Sequence, residues 1–123
     1  MKNFIPVDSL KEYSKKYGDN IALEAENKKF SYKKIWNSIK TVASSVNKID
    51  ESPLVAVVGR KGFLSYVSML GVLLTGGTYI PISLNMPFKR IAKIILLSKS
   101  KIIICPDEHR LAFKKRFPKM SIL

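Results

Sequence analysis

Few residues of this chain combine the types and the spacing that chemistry requires. Gly59-Arg60-Lys61-Gly62 joins a buried apolar run to a helical run, and the N-terminus of a helix attracts anions. Two cations between two glycines could therefore hold a phosphate, but the segment matches neither GxxxxGK(S/T) nor GxGxxG. A tight turn with solvated side chains explains the same residues, and we favour that interpretation.

Gly76-Gly77 resembles a second phosphate loop, but it has the opposite polarity because it follows a helix and precedes a strand. The C-terminus of a helix presents carbonyl oxygens, which repel phosphate. The pair is therefore predicted to end the helix, where glycine adopts left-handed backbone angles at little cost.

The remaining polar candidates do not form a catalytic or metal pattern. His109 is the only histidine and has no second ligand near it in the sequence, which indicates a surface histidine. Cys105 ends an apolar run and is interpreted as a small buried residue. Asp107 and Glu108 diverge on a helix, which favours a capping role over paired acid–base chemistry. The sequence thus predicts no catalytic, cofactor-binding or metal-ligating residue.

The elements that position these residues begin with a helix and a hairpin. Asp8 or Ser9 is predicted to cap the first helix, and Gly18 to end it. Alternating apolar residues then predict two short strands, with a turn at Asn27-Lys28.

A strongly amphipathic helix follows. Ser31 is predicted to cap it, and it extends over residues 32–47. Trp36 is interpreted as a core anchor on its apolar stripe. The stripe consists of Ile35, Trp36, Ile39, Val42, Ala43 and Val46.

From residue 54 onward, strands and helices alternate. Strands are predicted at 54–58, 78–82 and 101–105, and helices at 63–74, from about Pro87, and at 108–117 after a cap at Asp107. Gly71 is predicted to mark close helix packing. The apolar side of the helix after Pro87 is assigned to Ile91, Ile94, Ile95 and Leu97. This order predicts an α/β fold in which an N-terminal helix and hairpin precede a largely parallel sheet with right-handed crossovers.

The composition can build a core but carries a large positive charge. The 123 residues are 46% hydrophobic, which suits one domain or part of one, and the net charge is +13. Such an excess is typical of proteins that bind nucleic acid or anionic membranes. Here the basic residues are spread over separate elements, and every charged residue between 52 and 106 is basic. We therefore expect no nucleic acid, and instead a more acidic partner or domain.

Neither secretion nor a membrane span is indicated. Cys105 is the only cysteine, so no intrachain disulfide can form, and the N-terminus lacks the apolar run of a signal peptide. The longest apolar run, at about 63–74, is too short for a bilayer, which requires about 20 apolar residues. The sequence therefore predicts a cytoplasmic protein.

One stretch, from Leu73 to Ile91, resembles a signature of the adenylate-forming, AMP-binding acyl and aminoacyl ligases. It reads LLTGGTYIPISLNMPFKRI, where the family reads approximately LKAGAAYVPLDPxxPxxRI. The resemblance extends over about residues 12–107, and Ser31-Tyr32 stand where the family has a (T/S)Y motif at the start of a long helix. The amino-acid-activating branch is most similar, that is, the adenylation domains of peptide synthetases and the D-alanine–carrier protein ligases.

The resemblance implies that residues 1–123 form a single partial domain, the N-terminal subdomain of such a ligase. Ser83-Leu84 stand where the family usually has Asp-Pro, and Arg60-Lys61 where small, acidic or polar residues are common. These departures concern substrate placement and not the fold. In the family, the phosphate loop ending in PKG, the residues that hold adenine and ribose, and the catalytic lysine all come later than residue 123. ATP and Mg²⁺ are thus implied for the complete family, and no cofactor for this chain alone.

Two functions from different classes follow. The first is the N-terminal scaffold of an AMP-forming ligase that is inactive by itself and whose partner is the missing ligase portion. The alternative is a non-catalytic basic binding module for an acidic carrier protein or a complementary ligase fragment. The sequence leaves open whether the chain is an enzyme and which carboxylate its parent family member uses.

Overall fold

The computed structural model describes residues 7–25, 27–51 and 53–123, without the side chains of residues 7 and 8. No helix in these ranges is long and apolar enough to cross a membrane. The elements follow in the order α1 (Val7–Lys16), β1 (Ile21–Ala25), β2 (Lys28–Ser31), α2 (Tyr32–Asn47), β3 (Leu54–Gly59), α3 (Phe63–Leu74), β4 (Thr78–Ser83), α4 (Phe88–Ser98), β5 (Ile102–Ile104), α5 (Asp107–Arg116) and β6 (Ser121–Ile122).

The first helix and the hairpin form as predicted, with one correction. β1 and β2 pair antiparallel, and Asn27 makes the turn with a left-handed φ of 62°. Asp8 and Ser9 both lie inside α1, and neither is its cap, because the helix already includes Val7.

α2 begins where the sequence predicts. The Ser31 hydroxyl accepts a hydrogen bond from the Lys34 N–H at 3.1 Å and so satisfies one unpaired donor of the first turn. The apolar stripe is buried at Ile35, Ile39, Ala43 and Val46. Trp36 is only half-buried and packs at the margin of the core.

The main sheet is parallel and has the strand order β4-β3-β5-β6. β3 is an interior strand, paired on one side with β4 and on the other with β5. Its residues 55–58 are fully buried, which explains why this strand shows no polar alternation. β6 was not predicted, because Ser121–Ile122 is too short to leave a pattern and depends on pairing with β5.

The two faces of this sheet have different covers. α4 and α5 pack on one face, where Phe113 and Ile95 are at most 1% exposed. α2 and α3 pack on the other face through Val46 and Val72. α1 and the hairpin then pack outside α2 and α3, around Ile39 and Val67.

Both glycine predictions for α3 are confirmed. A Cβ on Gly71 would lie 2.6 Å from Val42 Cβ, so α2 and α3 can approach this closely only without a side chain there. Gly76 has φ 81°. The N–H groups of Gly76 and Gly77 donate to the carbonyls of Leu73 and Val72 at 3.0 and 3.2 Å, which is a Schellman helix end.

Two assignments in the second half of the chain were wrong. Leu97 is 73% exposed, because the side of α4 that faces the sheet is centred on Ile91, Ala92 and Ile95. Asp107 is the first residue of α5 and not its cap, since Pro106 takes that position with extended backbone angles. Asp107 and Glu108 instead lie in the first turn, where carboxylates favour the positive end of the helix dipole.

Candidate functional site

A cavity of about 620 Å³ opens where β3 and β4 end, and we call it the carboxyl-edge cavity. Because the two strands are parallel, their carboxyl ends meet at one edge, the usual place for ligands in such sheets. The sheet, α3 and the residues after β4 provide its walls. It is lined by Val57, Gly59, Arg60, Lys61, Ser65, Tyr66, Met69, Pro81, Ile82, Ser83 and Asn85.

The backbone at the mouth of this cavity is held by local hydrogen bonds. The Ser65 hydroxyl donates to the Arg60 carbonyl at 2.6 Å, and the Leu84 N–H donates to the Gly59 carbonyl at 3.2 Å. A Cβ on Gly59 would lie 2.7 Å from Ser65 Oγ, so a larger residue at the end of β3 would displace the Ser65 hydroxyl. The Asn85 N–H donates to Ser83 Oγ at 3.1 Å and fixes the other rim.

The charges at the mouth are cationic and exposed. The Arg60 side chain is 61% exposed, and its Nη1 lies 3.7 Å from Glu108 Oε1 at the start of α5. Lys61 is exposed as well. These side chains could hold an anionic group, but their exposure also agrees with the interpretation of Gly59–Gly62 as a turn. In the part of the chain that the structure describes, no other acidic side chain forms an ion pair with either cation.

The sequence analysis predicted only part of the lining of the carboxyl-edge cavity. The sequence analysis placed Gly59–Gly62 after a buried strand, but it did not bring Ser83 and Asn85 to the same place. The available signal was the strand order, because two parallel strands joined by one crossover end at a common edge. Gly76-Gly77 lies at the opposite end of β4 and makes no contribution to this cavity.

The remaining sequence candidates lie around the end of β5 and the start of α5, where Cys105 and Asp107 line one cavity. Cys105 is buried at the end of β5, and burial raises the pKa of its thiol from 9.0 to about 11, against a lowering by Arg110. His109 Nε2 lies 3.6 Å from Glu108 Oε1 at the surface of α5. Within residues 7–25, 27–51 and 53–123, no cluster of His, Cys, Asp and Glu could hold a metal ion.

A second cavity, of about 260 Å³, lies between α2, α3 and the end of β5. Ser68 of α3 lines it, and its Oγ is fully buried without a hydrogen-bond partner among the described residues. The sequence analysis did not single out this hydroxyl, since Ser68 is embedded in an apolar helix. The described residues that line the carboxyl-edge cavity include no carboxylate, imidazole or thiol, whereas the second cavity is lined by Cys105 and Asp107, and burial keeps that thiol protonated at neutral pH.

The pattern of an AMP-binding enzyme covers nearly the whole chain, from residue 10 to residue 121. The chain belongs to the AMP-binding enzyme family. A D-alanine–D-alanyl carrier protein ligase of Bacillus licheniformis is 29% identical over 101 residues, which are 80% of this chain and 20% of the ligase. Tyrocidine synthase 1 of Brevibacillus parabrevis is 27% identical over 95 residues, which are 76% of this chain and 9% of the synthase.

Solved structures show the same fold for this AMP-binding segment. A nonribosomal peptide synthetase, FmoA3, in a form bound to α-methyl-L-serine-AMP, superposes with a TM-score of 0.85 over 98% of this chain and 14% of its own, at 20% identity. The N-terminal subdomain of Klebsiella oxytoca NpsA gives a TM-score of 0.73 over 95% of this chain and 28% of its own, at 19% identity. The chain therefore has the fold of part of an adenylation domain and spans about a fifth of the curated ligases that it matches.

Proposed function

We propose that this chain is the N-terminal scaffold of an AMP-forming acyl or aminoacyl ligase. In the assembled enzyme, a carboxylate oxygen attacks the α-phosphorus of ATP, which gives an acyl adenylate and releases pyrophosphate. ATP and Mg²⁺ would be bound by the assembled enzyme. The observation that carries this proposal is the family pattern over residues 10–121, together with the similarity to ligases that are about four times longer than this chain.

We propose further that residues 1–123 act as one partial domain, in a reducing cytoplasm, and make no adenylate alone. The sequence supports this, because it contains no Ser/Thr/Gly-rich loop ending in PKG, the loop that binds the phosphates of ATP in the family. Adenylation requires that binding and not a general base, because the attacking carboxylate is already ionised at neutral pH. The purified chain should therefore show no amino-acid-dependent exchange of pyrophosphate into ATP, and robust exchange would overturn this part of the proposal.

A chimera tests the scaffold role itself. The chain would replace the matching N-terminal fifth of the Bacillus licheniformis ligase, and the parent ligase with that fifth deleted would serve as the control. We expect the chimera to restore D-alanine-dependent pyrophosphate exchange above the deletion control. A chimera that folds, as judged by cooperative thermal unfolding, but has no activity would count against the scaffold role.

A second candidate function is a non-catalytic module that binds an acidic carrier protein or a complementary ligase fragment. The net charge of +13 favours it, because opposite charges speed association and select partners. The curated relatives include ligases named for a carrier protein. Retention on an immobilised acidic carrier protein that salt abolishes would support this function. Absence of retention at low salt would exclude it.

A further inference from the structure

The outer side of α4 carries an apolar stripe between basic side chains, and we call it the α4 surface. It forms a groove of about 640 Å³ lined by Pro87, Lys89, Arg90, Lys93, Ile94 and Leu97. Leu97 is 73% exposed, and Ile94 is partly buried. Since residues three or four apart share a helix face, Arg90, Ile94 and Leu97 follow one line along α4.

The neighbouring helix extends this surface. Phe88 at the start of α4 and Phe113 of α5 have ring centroids 5.2 Å apart, so the two helices lie side by side. α5 adds Leu111, which is 68% exposed, and the exposed cations Lys114 and Lys115. α5 thus adds one exposed leucine and two exposed cations beside α4.

The positive charge of the α4 surface is not neutralised from within the described chain. Lys89, Arg90 and Lys93 form no ion pair among the described residues, and α4 contains no acid. Asp107 and Glu108 are the only acids after residue 51, and Glu108 is engaged with Arg60 and His109. A ligand with carboxylates would therefore meet three free cations.

We propose that the α4 surface is a docking site for an acidic amphipathic helix of a separate protein, with leucine-like side chains on one stripe and carboxylates on both flanks. The stripe would pack on Ile94 and Leu97, and the carboxylates would meet Lys89, Arg90 and Lys93. This inference narrows the acidic-partner role proposed above to one surface and one kind of ligand, and it rests on that role.

A membrane or a nucleic acid matches the same surface less well. An interfacial helix inserts its broad apolar face into the lipid, but here that face, with Ile91 and Ile95, is buried against the sheet. Single-stranded nucleic acids stack on exposed aromatic rings, and the groove lining contains none. The narrow stripe and its flanking cations complement a helix instead.

The probe is a fluorescein-labelled helical peptide with leucine at every third or fourth position and glutamate on both flanks. A second peptide has the same composition in scrambled order, which keeps its charge and removes its stripe. Fluorescence anisotropy at low salt measures the affinity of the full chain for each peptide. We expect the ordered peptide to bind at least about tenfold more tightly than the scrambled one. Equal affinity for both would show only a polyanion effect and would overturn the proposal.

Variants with matched controls locate the site. Lys93→Glu and Leu97→Ser should each weaken binding of the ordered peptide by about five- to tenfold. Lys29→Glu, with the same charge change on the exposed β2, and Leu64→Ser, on the opposite face of the sheet, should have little effect. These positions are exposed, so thermal unfolding should confirm that every variant is folded. Equal losses in the variants and their controls would overturn the proposed location.

Three further outcomes separate this inference from its alternatives. Retention of the chain on an immobilised acidic carrier protein, with no difference between wild type and Lys93→Glu, would overturn the α4 surface and leave the acidic-partner role standing. If the wild-type chain is not retained on the carrier protein and does not bind the ordered peptide, the acidic-partner role is excluded as well. Lys93-dependent binding to phosphatidylglycerol vesicles without binding to the ordered peptide would overturn the proposal in favour of a membrane.

Discussion

The two faces of the parallel sheet are covered to different depths. On one face, α2 and α3 are themselves covered by α1 and the hairpin. Ile39 and Val67 are therefore at most 2% exposed, although they belong to a different group of buried residues from those that pack α2 and α3 on the sheet. On the other face, α4 and α5 form a single layer. Its inner side buries Phe113, while its outer side exposes Leu97 and Leu111.

This difference distinguishes a face whose apolar side chains the chain buries by itself from a face whose apolar side chains remain available to another molecule. Burial of apolar surface stabilises the fold by about 25 cal/mol per Å², so an exposed leucine contributes little until another surface covers it. The α2 and α3 side obtains its second cover from α1 and the hairpin, which belong to the N-terminal quarter of the chain. The α4 and α5 side has cations there instead, and we infer that its cover comes from outside.

The largest difference in the free energy of unfolding should be found between a buried and an exposed residue of α5. Phe113→Ala removes a side chain that is fully buried between α5 and the sheet, and it should lower the free energy of unfolding by about 3–5 kcal/mol. Leu111→Ala, two residues away and 68% exposed, should change it by less than about 0.5 kcal/mol. Chemical denaturation of both variants measures the two values. Similar losses for both would mean that the outer side of this layer is covered in the isolated chain.

A smaller loss of stability should follow from a steric clash between α2 and α3, on the face of the sheet that α1 and the hairpin also cover. Gly71→Ala would place a Cβ 2.6 Å from Val42 Cβ and 3.2 Å from the Ile39 carbonyl, so α2 and α3 must separate. We expect a loss of about 1–3 kcal/mol in the free energy of unfolding. Removing the opposing methyl groups in Val42→Ala/Gly71→Ala should recover part of this loss. An additive double variant would show that the helices do not meet at this point.

The thiol of Cys105 adds a pH dependence to the end of β5. Because burial raises its pKa to about 11 from 9.0, the unfolded chain loses this proton at lower pH than the folded chain. The contribution of this thiol to the free energy of unfolding is therefore fully present below pH 9.0 and declines between pH 9.0 and about 11. At about pH 10 the decline should be about 1 kcal/mol relative to Cys105→Ala, whose Tm is the reference for other titrating groups. Parallel Tm curves for the two proteins would contradict the raised pKa.

Local signals account for the parts of the fold that the sequence predicted. The bounds of α2 agree with the prediction because Ser31 supplies a capping hydroxyl, and those of α3 because Gly76 supplies a left-handed backbone. The parallel sheet was predictable because β3 is apolar without alternation. These features depend on residues within one turn of the element they determine, so a pattern in the sequence records them.

Several failures depend on contacts distant in sequence, whereas the wrong cap of α5 is a local failure, because Pro106 directly precedes Asp107. The periodicity of α4 placed Leu97 on its apolar side, but packing of Ile95 and Ala92 against the sheet turned that side chain outward. β6 exists only through its pairing with β5. The carboxyl-edge cavity could be predicted at Gly59 but not at Asn85, because the β3–β4 register determines which side chains share that edge.

The smallest change in the free energy of unfolding should come from Ser68, whose hydroxyl is buried on the α2 and α3 side of the sheet without a partner among the described residues. Ser68 Oγ faces the cavity of about 260 Å³ and has no hydrogen-bond partner among the described residues. A buried hydroxyl without a partner costs free energy, so Ser68→Ala should leave stability unchanged or raise it by up to about 1 kcal/mol. Ser31→Ala is the matched control, because the same change removes a hydroxyl that accepts the Lys34 N–H, and it should lower stability by about 1 kcal/mol. Denaturation midpoints distinguish the two. A loss in Ser68→Ala as large as that in Ser31→Ala would show that the Ser68 hydroxyl is hydrogen-bonded in solution, to water or to a ligand in that cavity, and that this face too presents a group to others.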